Sequence, residues 1–258
     1  MLRLLEMKIA SDEFELHSSM GSVLHGVLME MLPNDAARLL HEDGLRPFSQ
    51  YVFRPHKSED WYWRIGLLDD YFGQMIHEIL EKRFCANRSI YLKNKRASVS
   101  LESFSVVNDT SYGDLVDFVY RAEQAPGRAE LRFNTVASFK HDGRYMIFPD
   151  MAMIFKSLLN RWNHYSAEIK LKEENLGERL AELANITSYN LQTRYFGIEN
   201  SNIKGFWGKV GINLHGNDMA RRIIAVLLLF AQFSGIGVKT ALGMGGIDVN
   251  LLYGEKKL

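Results

Sequence analysis

The order of predicted helices and strands indicates an α+β protein in which a β-α-β-β-α-β pattern occurs twice. Three observations predict this fold: the pattern over residues 2–107, its partial return from residue 128, and a glycine-rich segment before the final strand. A chain of 258 residues with 47% hydrophobic residues is long enough for one large domain or two ordinary domains, each with a buried core.

The first pattern follows from hydrophobic spacing and from the residues that begin and end helices. Residues 2–9 alternate in the manner of a strand, and apolar residues recur with helical spacing from Ser19 to about Leu32. Pro33 restarts the chain as a second helix. The remaining predicted elements are that helix over 36–41, strands over 47–53 and 61–67, a helix over 69–84 and a strand over 99–107.

The polar, turn-rich stretch 108–128 is expected to join two domains, at 1–115 and 125–258. The predicted elements of the second domain are a strand over 128–139, a short hairpin, helices over 149–165 and 170–185, strands over 186–195 and 206–214, a helix over 217–233 and a strand over 246–252. Two successive patterns of this kind predict two tandem ferredoxin-like (RRM-like) domains.

The glycine segment, residues 233–246, contains five glycines, one lysine and no acid. Glycines cluster where the main chain turns tightly or approaches another group, and free N–H groups beside a lysine suit a phosphate oxygen. We therefore predict contact with a sugar-phosphate backbone. The alternative is a glycine-rich turn without a ligand, because the spacing matches neither a P-loop nor a dinucleotide-binding loop. The predicted contact residues are Gly235, Gly237, Lys239, Thr240, Gly243, Gly245 and, on a preceding strand, Lys204.

Charge and cysteine content limit the classes of partner. Lys+Arg and Asp+Glu both total 31, which argues against a broadly basic nucleic-acid coat and leaves local patches. The acid-free run 82–96 holds six basic residues and is either such a patch or a solvated helix end and loop. Cys85 stands alone, and we find neither a signal-peptide core nor a membrane-length apolar run, so we expect a reduced, cytoplasmic protein that does not insert into membranes.

Two histidines and one arginine are the candidate catalytic residues. None of the eight histidines forms a tight metal-binding motif, so we predict no metal and no other cofactor. His25 lies in the first predicted helix and His41 at the end of the second, and the reversal at Pro33 can place them on one side. Arg46 precedes the next strand. Two imidazoles can act as acid and base in RNA cleavage, with a guanidinium stabilising phosphate charge; the alternative is that each histidine is an ordinary surface or half-buried residue.

Five segments resemble CRISPR-associated repeat-processing endoribonucleases of the repeat-associated mysterious protein superfamily, most closely members that accompany type III systems. The segments are GSVLHGVL (21–28), LLHE (39–42), RPFS (46–49), FPDMAMIFKSLLNRWN (148–163) and GIGVKTALGMG (235–245). They span nearly the whole chain in the family's order, and the last is the most specific.

The resemblance implies a function and assigns residues to it. It implies metal-independent cutting of CRISPR repeat RNA by 2′-hydroxyl attack, which leaves a 5′-hydroxyl and a 2′,3′-cyclic phosphate or 3′-phosphate. His41 corresponds to the family's general acid/base histidine, His25 to its first-helix partner and Arg46 to its charge-stabilising position. The implied partners are the repeat RNA and, loosely, a type III effector complex; a homodimer stays an open expectation.

Three other classes of function remain alternatives. A non-catalytic RNA-binding subunit of the same fold would bind a repeat tightly and yield no product. A paired-histidine phosphoesterase would need two H-x-[ST] strands, which neither His25 nor His41 provides. A structural adaptor would bind no RNA even at low salt.

Overall fold

The computed structural model describes residues 1–42, 44–198 and 201–253, and the side chains of His41 and Glu42 lie outside that description. Within these ranges the chain forms two large antiparallel sheets and one small two-stranded sheet, together with helices. The predicted α+β class is therefore confirmed. None of the described helices is both long enough and apolar enough to span a membrane.

The first large sheet has six strands, in the order β2-β3-β1-β5-β4, with β6 also paired to β1. Four of these strands, β2-β3-β1-β6, follow the ferredoxin-like order, because β1 and β3 lie in the middle and the last strand pairs with β1. The elements of this half are β1 (Leu2–Ala10), α1 (Met20–Met31), α2 (Asn34–Glu42), β2 (Phe48–Phe53), β3 (Trp61–Leu67), α3 (Asp70–Ala86), β4 (Ser89–Leu92), β5 (Ala97–Leu101) and β6 (Ser105–Thr110).

The second large sheet has four strands in the equivalent order, β10-β11-β7-β12. The elements of this half are α4 (Tyr112–Arg121), β7 (Arg128–Ala137), β8 (Lys140–His141), β9 (Arg144–Tyr145), α5 (Met151–Tyr165), α6 (Leu176–Glu182), β10 (Ala184–Ile198), β11 (Ser201–Leu214), α7 (Asp218–Ser234), a short 3-10 helix (Thr240–Leu242) and β12 (Ile247–Leu252). The division into domains 1–115 and 125–258 stays a prediction, which the behaviour of the isolated halves would test.

One predicted strand of the first half is wrong, and the stretch predicted to be turn-rich contains a helix. The single strand over 99–107 is two strands, because β5 pairs with the end of β1 and β6 pairs with the rest of it. The supposed junction 108–128 contains α4. Ser111 caps this helix by accepting a hydrogen bond from the Asp114 N–H at 3.0 Å, and Leu115 and Val119 bury its apolar face.

The predicted helix over 170–185 is also wrong, because only 176–182 are helical. The chain before residue 176 is kept non-helical by Asn163 of α5. Its side-chain amide donates to the Leu171 carbonyl and accepts from the Leu171 N–H, both at 2.7 Å, which replaces helical hydrogen bonds. The strands predicted over 186–195 and 206–214 are longer than expected and form one hairpin, paired from Ala184↔Leu214 to Ile198↔Ser201.

The first sheet is covered on both faces, which joins the two halves. Alternate residues of β1 separate accordingly: Leu5 packs with the core under α1 and α3, whereas Leu4 packs with the core of the second half. On that second face Gly66 of β3 meets the end of α7, where the Phe233 carbonyl also accepts a 2.7 Å hydrogen bond from the Ser49 hydroxyl. A Cβ on Gly66 would lie 1.9 Å from the Phe233 carbonyl oxygen.

We expect Gly66→Ala to lower the free energy of unfolding by about 3 kcal/mol, the upper end for overpacking, because the methyl group forces α7 away from β3. The matched control is Gly26→Ala on α1, where an added Cβ has no neighbour within 4 Å. That change should raise stability by about 1 kcal/mol through helix propensity. Urea unfolding of both variants checks the pair, and equal effects would contradict the packing argument.

Candidate functional site

His25 and Arg46 lie in the same neighbourhood. His25 is half-buried on α1, and its ring stacks on Phe48 with ring centroids 5.9 Å apart and planes 24° apart. Phe48 begins β2 two residues after Arg46, whose side chain is also half-buried. The start of β2 therefore brings the chain next to Arg46 close to α1, which carries His25.

His41 lies at the end of α2, and its side chain is outside the described residues. The preceding residue, Leu40, is 1% exposed and belongs to the core formed by α1, α3 and the first sheet. This contact fixes the end of α2 against the same core on which α1 rests. The predicted convergence of His41 with His25 stays a prediction.

The glycine segment lies against the first turn of α1. Gly21 and Gly243 meet backbone to backbone, since a Cβ on Gly21 would lie 2.7 Å from the Gly243 Cα. His25 follows Gly21 by four residues, or about 6 Å along the helix axis at 1.5 Å per residue. The segment therefore passes within about one helical turn of the candidate histidine.

Gln50 ties the first sheet, α1 and the glycine segment together. Its side chain is fully buried in β2, and its amide nitrogen donates to the carbonyls of Gly21 at 2.6 Å and Ala241 at 2.8 Å. Its amide oxygen accepts from the Trp63 indole N–H at 2.7 Å. Both amide protons and one acceptor are thus used, so the amide is satisfied without water.

Most of the predicted contact residues in the glycine segment are buried. Gly235, Thr240, Gly243 and Gly245 are all buried and Gly237 is half-buried, whereas Lys239 is exposed. Lys239 adopts a left-handed conformation with φ of 57° at the start of the 3-10 helix, and in the described part of the chain it forms no ion pair. Of the set, its ammonium group is therefore the one presented to solvent for a phosphate, and the binding role of all six residues stays a prediction.

A buried arginine that the sequence analysis missed lies behind this segment. Arg161 of α5 is 8% exposed, and its guanidinium donates to the Thr240 hydroxyl at 2.6 Å. Burial lowers the pKa of Arg161, and no carboxylate of the described residues pairs with it. The sequence carried a signal, because Arg161 follows Ile154 and Leu158 at the spacing of one apolar helix face.

Lys204 lies on the β10–β11 hairpin, which also contacts the start of α1. It pairs with Tyr195 across the hairpin, and its ammonium lies 5.7 Å from the centre of that exposed ring. Two residues beyond Tyr195, the Gly197 N–H donates to the Ser19 hydroxyl at the start of α1, at 3.1 Å. The far end of the hairpin is therefore docked on α1, close to Gly243.

Among the described residues, no three His, Cys, Asp or Glu side chains cluster as metal ligands would.

Comparisons with known proteins give one consistent family. The family model described as CRISPR-associated endoribonuclease Cas6 matches residues 131–247. A Streptococcus thermophilus protein named CRISPR-associated endoribonuclease Cas6 is 29% identical over 225 residues, which cover 87% of this chain and 89% of the relative. A Mycobacterium tuberculosis protein of the same name is 28% identical over 243 residues, covering 93% and 74% respectively.

Solved structures agree with this result at the level of the fold. Thermus thermophilus Cas6 has a TM-score of 0.69 at 21% identity and covers 97% of this chain and 98% of its own. A product complex of the same protein has a TM-score of 0.78 at 22% identity, with 97% of this chain and all of that chain covered.

The fold and the sequence matches define the class of protein as a CRISPR-associated endoribonuclease built from two ferredoxin-like patterns. The matching family model and both relatives carry the name CRISPR-associated endoribonuclease Cas6, so this chain is similar to Cas6 proteins over most of its length.

We expect Gln50→Leu to lower the free energy of unfolding by about 3 kcal/mol, because it leaves the Trp63 indole N–H and two carbonyls without their partner. It should also loosen the glycine segment from α1. The exposed Gln124→Leu is the control and should change stability by less than about 0.5 kcal/mol. Denaturant unfolding gives the first quantity, and hydrogen exchange at residues 235–246 gives the second. Unchanged exchange in the Gln50 variant would contradict the tethering role.

Proposed function

We propose that this chain cuts CRISPR repeat RNA by metal-independent general acid/base catalysis at the junction of α1, α2, β2 and the glycine segment. The observation that carries the proposal is the position of His25. Its ring is half-buried over Phe48, about one helical turn from the glycine segment and next to the strand that Arg46 precedes. Such a site offers an imidazole, a guanidinium and an exposed lysine to one phosphate linkage.

The proposed reaction needs one proton acceptor and one proton donor. One imidazole removes the proton of the 2′-hydroxyl, whose oxygen then bonds to the adjacent phosphorus, and the bond from phosphorus to the 5′-oxygen breaks. The second imidazole gives a proton to that departing oxygen. The products are a 2′,3′-cyclic phosphate, or the 3′-phosphate after hydrolysis, and a 5′-hydroxyl.

The proposal assigns His41 and His25 to these two proton transfers and leaves open which is acid and which is base. Histidine suits both tasks because its unperturbed pKa of about 6.5 lies near working pH. The guanidinium of Arg46 stabilises the charge that develops on the phosphate oxygens, since Arg stays protonated and offers several donors.

Substrate binding is proposed to use phosphate contacts at Lys239 and Lys204. Both ammonium groups are exposed, and both are carried by segments that touch the start of α1. The buried glycines and Thr240 serve this surface indirectly, because they let the backbone of the segment pass close to α1. A cytoplasmic location, a loose association with a type III effector complex and a homodimer are further parts of the proposal.

We expect His41→Ala to lower the single-turnover cleavage rate by about 10²–10⁴-fold, the usual contribution of one general acid or base. Binding of the same RNA should stay nearly unchanged. The control is His141→Ala, which alters an exposed histidine of the β8–β9 hairpin. Reactions with a panel of repeat RNAs in EDTA, followed by analysis of the new ends, check the result. Loss of wild-type cleavage in EDTA would refute metal independence, and tight binding without any product would favour the non-catalytic RNA-binding subunit.

We expect Lys239→Ala to weaken RNA binding by a similar factor for every sequence and to reduce the slope of log affinity against log salt by about one. Removing one phosphate contact releases one counterion fewer and leaves base recognition intact. Lys57→Ala is the matched control, because Lys57 is also an exposed lysine in a left-handed conformation, with φ of 65°. Titrations at several salt concentrations measure both variants, and equal slopes for the Lys239 variant and wild type would contradict the contact.

A further inference from the structure

The acid-free run 82–96 forms one wall of a groove away from the candidate site. The run covers the end of α3, the whole of β4 and the turn toward β5, and the second half of α1 forms the opposite wall. The groove has a volume of about 810 Å³. That volume lies within the range of about 300–1,000 Å³ that holds small ligands, and one or two nucleotides fit this size.

The groove carries an excess of positive charge. Its charged lining consists of Lys82, Arg83, Lys93 and Glu30, of which Glu30 pairs with Lys93 at 2.8 Å. Lys82 is 79% exposed, and its ammonium group lies 3.8 Å from the Glu78 carboxylate. The Arg83 side chain is half-buried and forms no ion pair within the described ranges. The Arg83 guanidinium therefore remains available to an external anion.

An exposed aromatic ring and an apolar floor complete the groove. Tyr91 of β4 is 59% exposed, whereas its neighbours Ile90 and Leu92 are buried in the core. Tyr91 lines the groove together with Arg83. Val27 of α1 and Ile79 of α3 line the groove as half-buried apolar residues. A flat ring and a guanidinium that line one groove suit a base stacked on the ring and a phosphate on the cation.

We propose that this groove binds a short single-stranded segment of the substrate RNA, separate from the scissile linkage. The proposal rests on the function proposed above. The segment must be single-stranded, because a base can stack on Tyr91 only when it is not paired within a helix. Strand β4 lies at the opposite edge of the sheet from β2, so this contact is distinct from the one at His25. The two are nonetheless connected by α1, whose residue Val27 follows His25 by two positions.

The test compares the double variant Arg83→Ala/Tyr91→Ala with wild type on full-length repeat RNA. We expect the dissociation constant to rise by about tenfold, the loss expected for one stacked base. The single-turnover rate at saturating RNA should stay unchanged, because neither residue touches the reacting atoms. In a nested series of RNAs shortened from either end, one truncation should weaken wild-type binding and remove the difference between the two proteins.

Two controls keep the result interpretable. Phe118→Ala/Arg121→Ala removes an equally exposed aromatic and a cation from α4, outside the groove, and should leave the affinity unchanged. Circular dichroism and thermal unfolding verify that the groove variant is folded, and Arg83→Lys/Tyr91→Phe should restore most of the affinity.

Full affinity of the folded groove variant would overturn the proposal, as would a difference that persists with the shortest RNA still cleaved. The outcomes also separate the two proposals. If the wild-type protein cuts repeat RNA and the groove variant binds it equally well, only the groove proposal is refuted. If the wild-type protein binds RNA through the groove and cuts nothing, only the proposed endoribonuclease activity is refuted.

Discussion

The buried amide of Gln50 is the interaction on which the candidate site depends. It lies in the first sheet and holds the carbonyl of Gly21 in α1 and that of Ala241 in the glycine segment. A side chain with two donors and an acceptor satisfies both carbonyls and the Trp63 indole at once. Each of these buried polar groups would otherwise cost about 1–3 kcal/mol. The position of α1, and hence of His25, is therefore set by an element more than 200 residues later in the chain.

The fold class and most element positions could be predicted because they follow from local signals. The alternation of β1 and the apolar spacing of α1 and α7 are properties of consecutive residues. The wrong predictions concern segments whose structure depends on contacts with residues elsewhere in the chain. Asn163 keeps the chain before α6 from becoming helical, and β1 divides the supposed strand over 99–107 between two pairings. Neither partner is visible in the local sequence.

The candidate site divides in the same way. His25 and Arg46 could be singled out by residue type and order, whereas the burial of Thr240 and Gly243 depends on packing between the halves. Glycine content alone does not distinguish a backbone that faces a ligand from one that faces another backbone. In this segment Gly243 lies against the backbone of Gly21 in α1, and Gly237 and Gly245 lie against backbone carbonyls of Ser138 and Ile236. Lys239 is the exposed exception. Gln50 and Arg161 were detectable in principle, since each is a polar residue at a position flanked by apolar residues of its strand or helix face.

The close approach of Gly66 to the Phe233 carbonyl limits how this protein can accommodate a substrate. Main-chain atoms of β3 and α7 lie in direct contact, so there is no side chain at that point whose rotation could let the halves hinge apart. This contact opposes a change in the angle between the two sheets at that point. Under the proposed function, the RNA rather than the protein would then change shape at this point, so selectivity would depend on how easily each RNA bends as well as on the groups it presents.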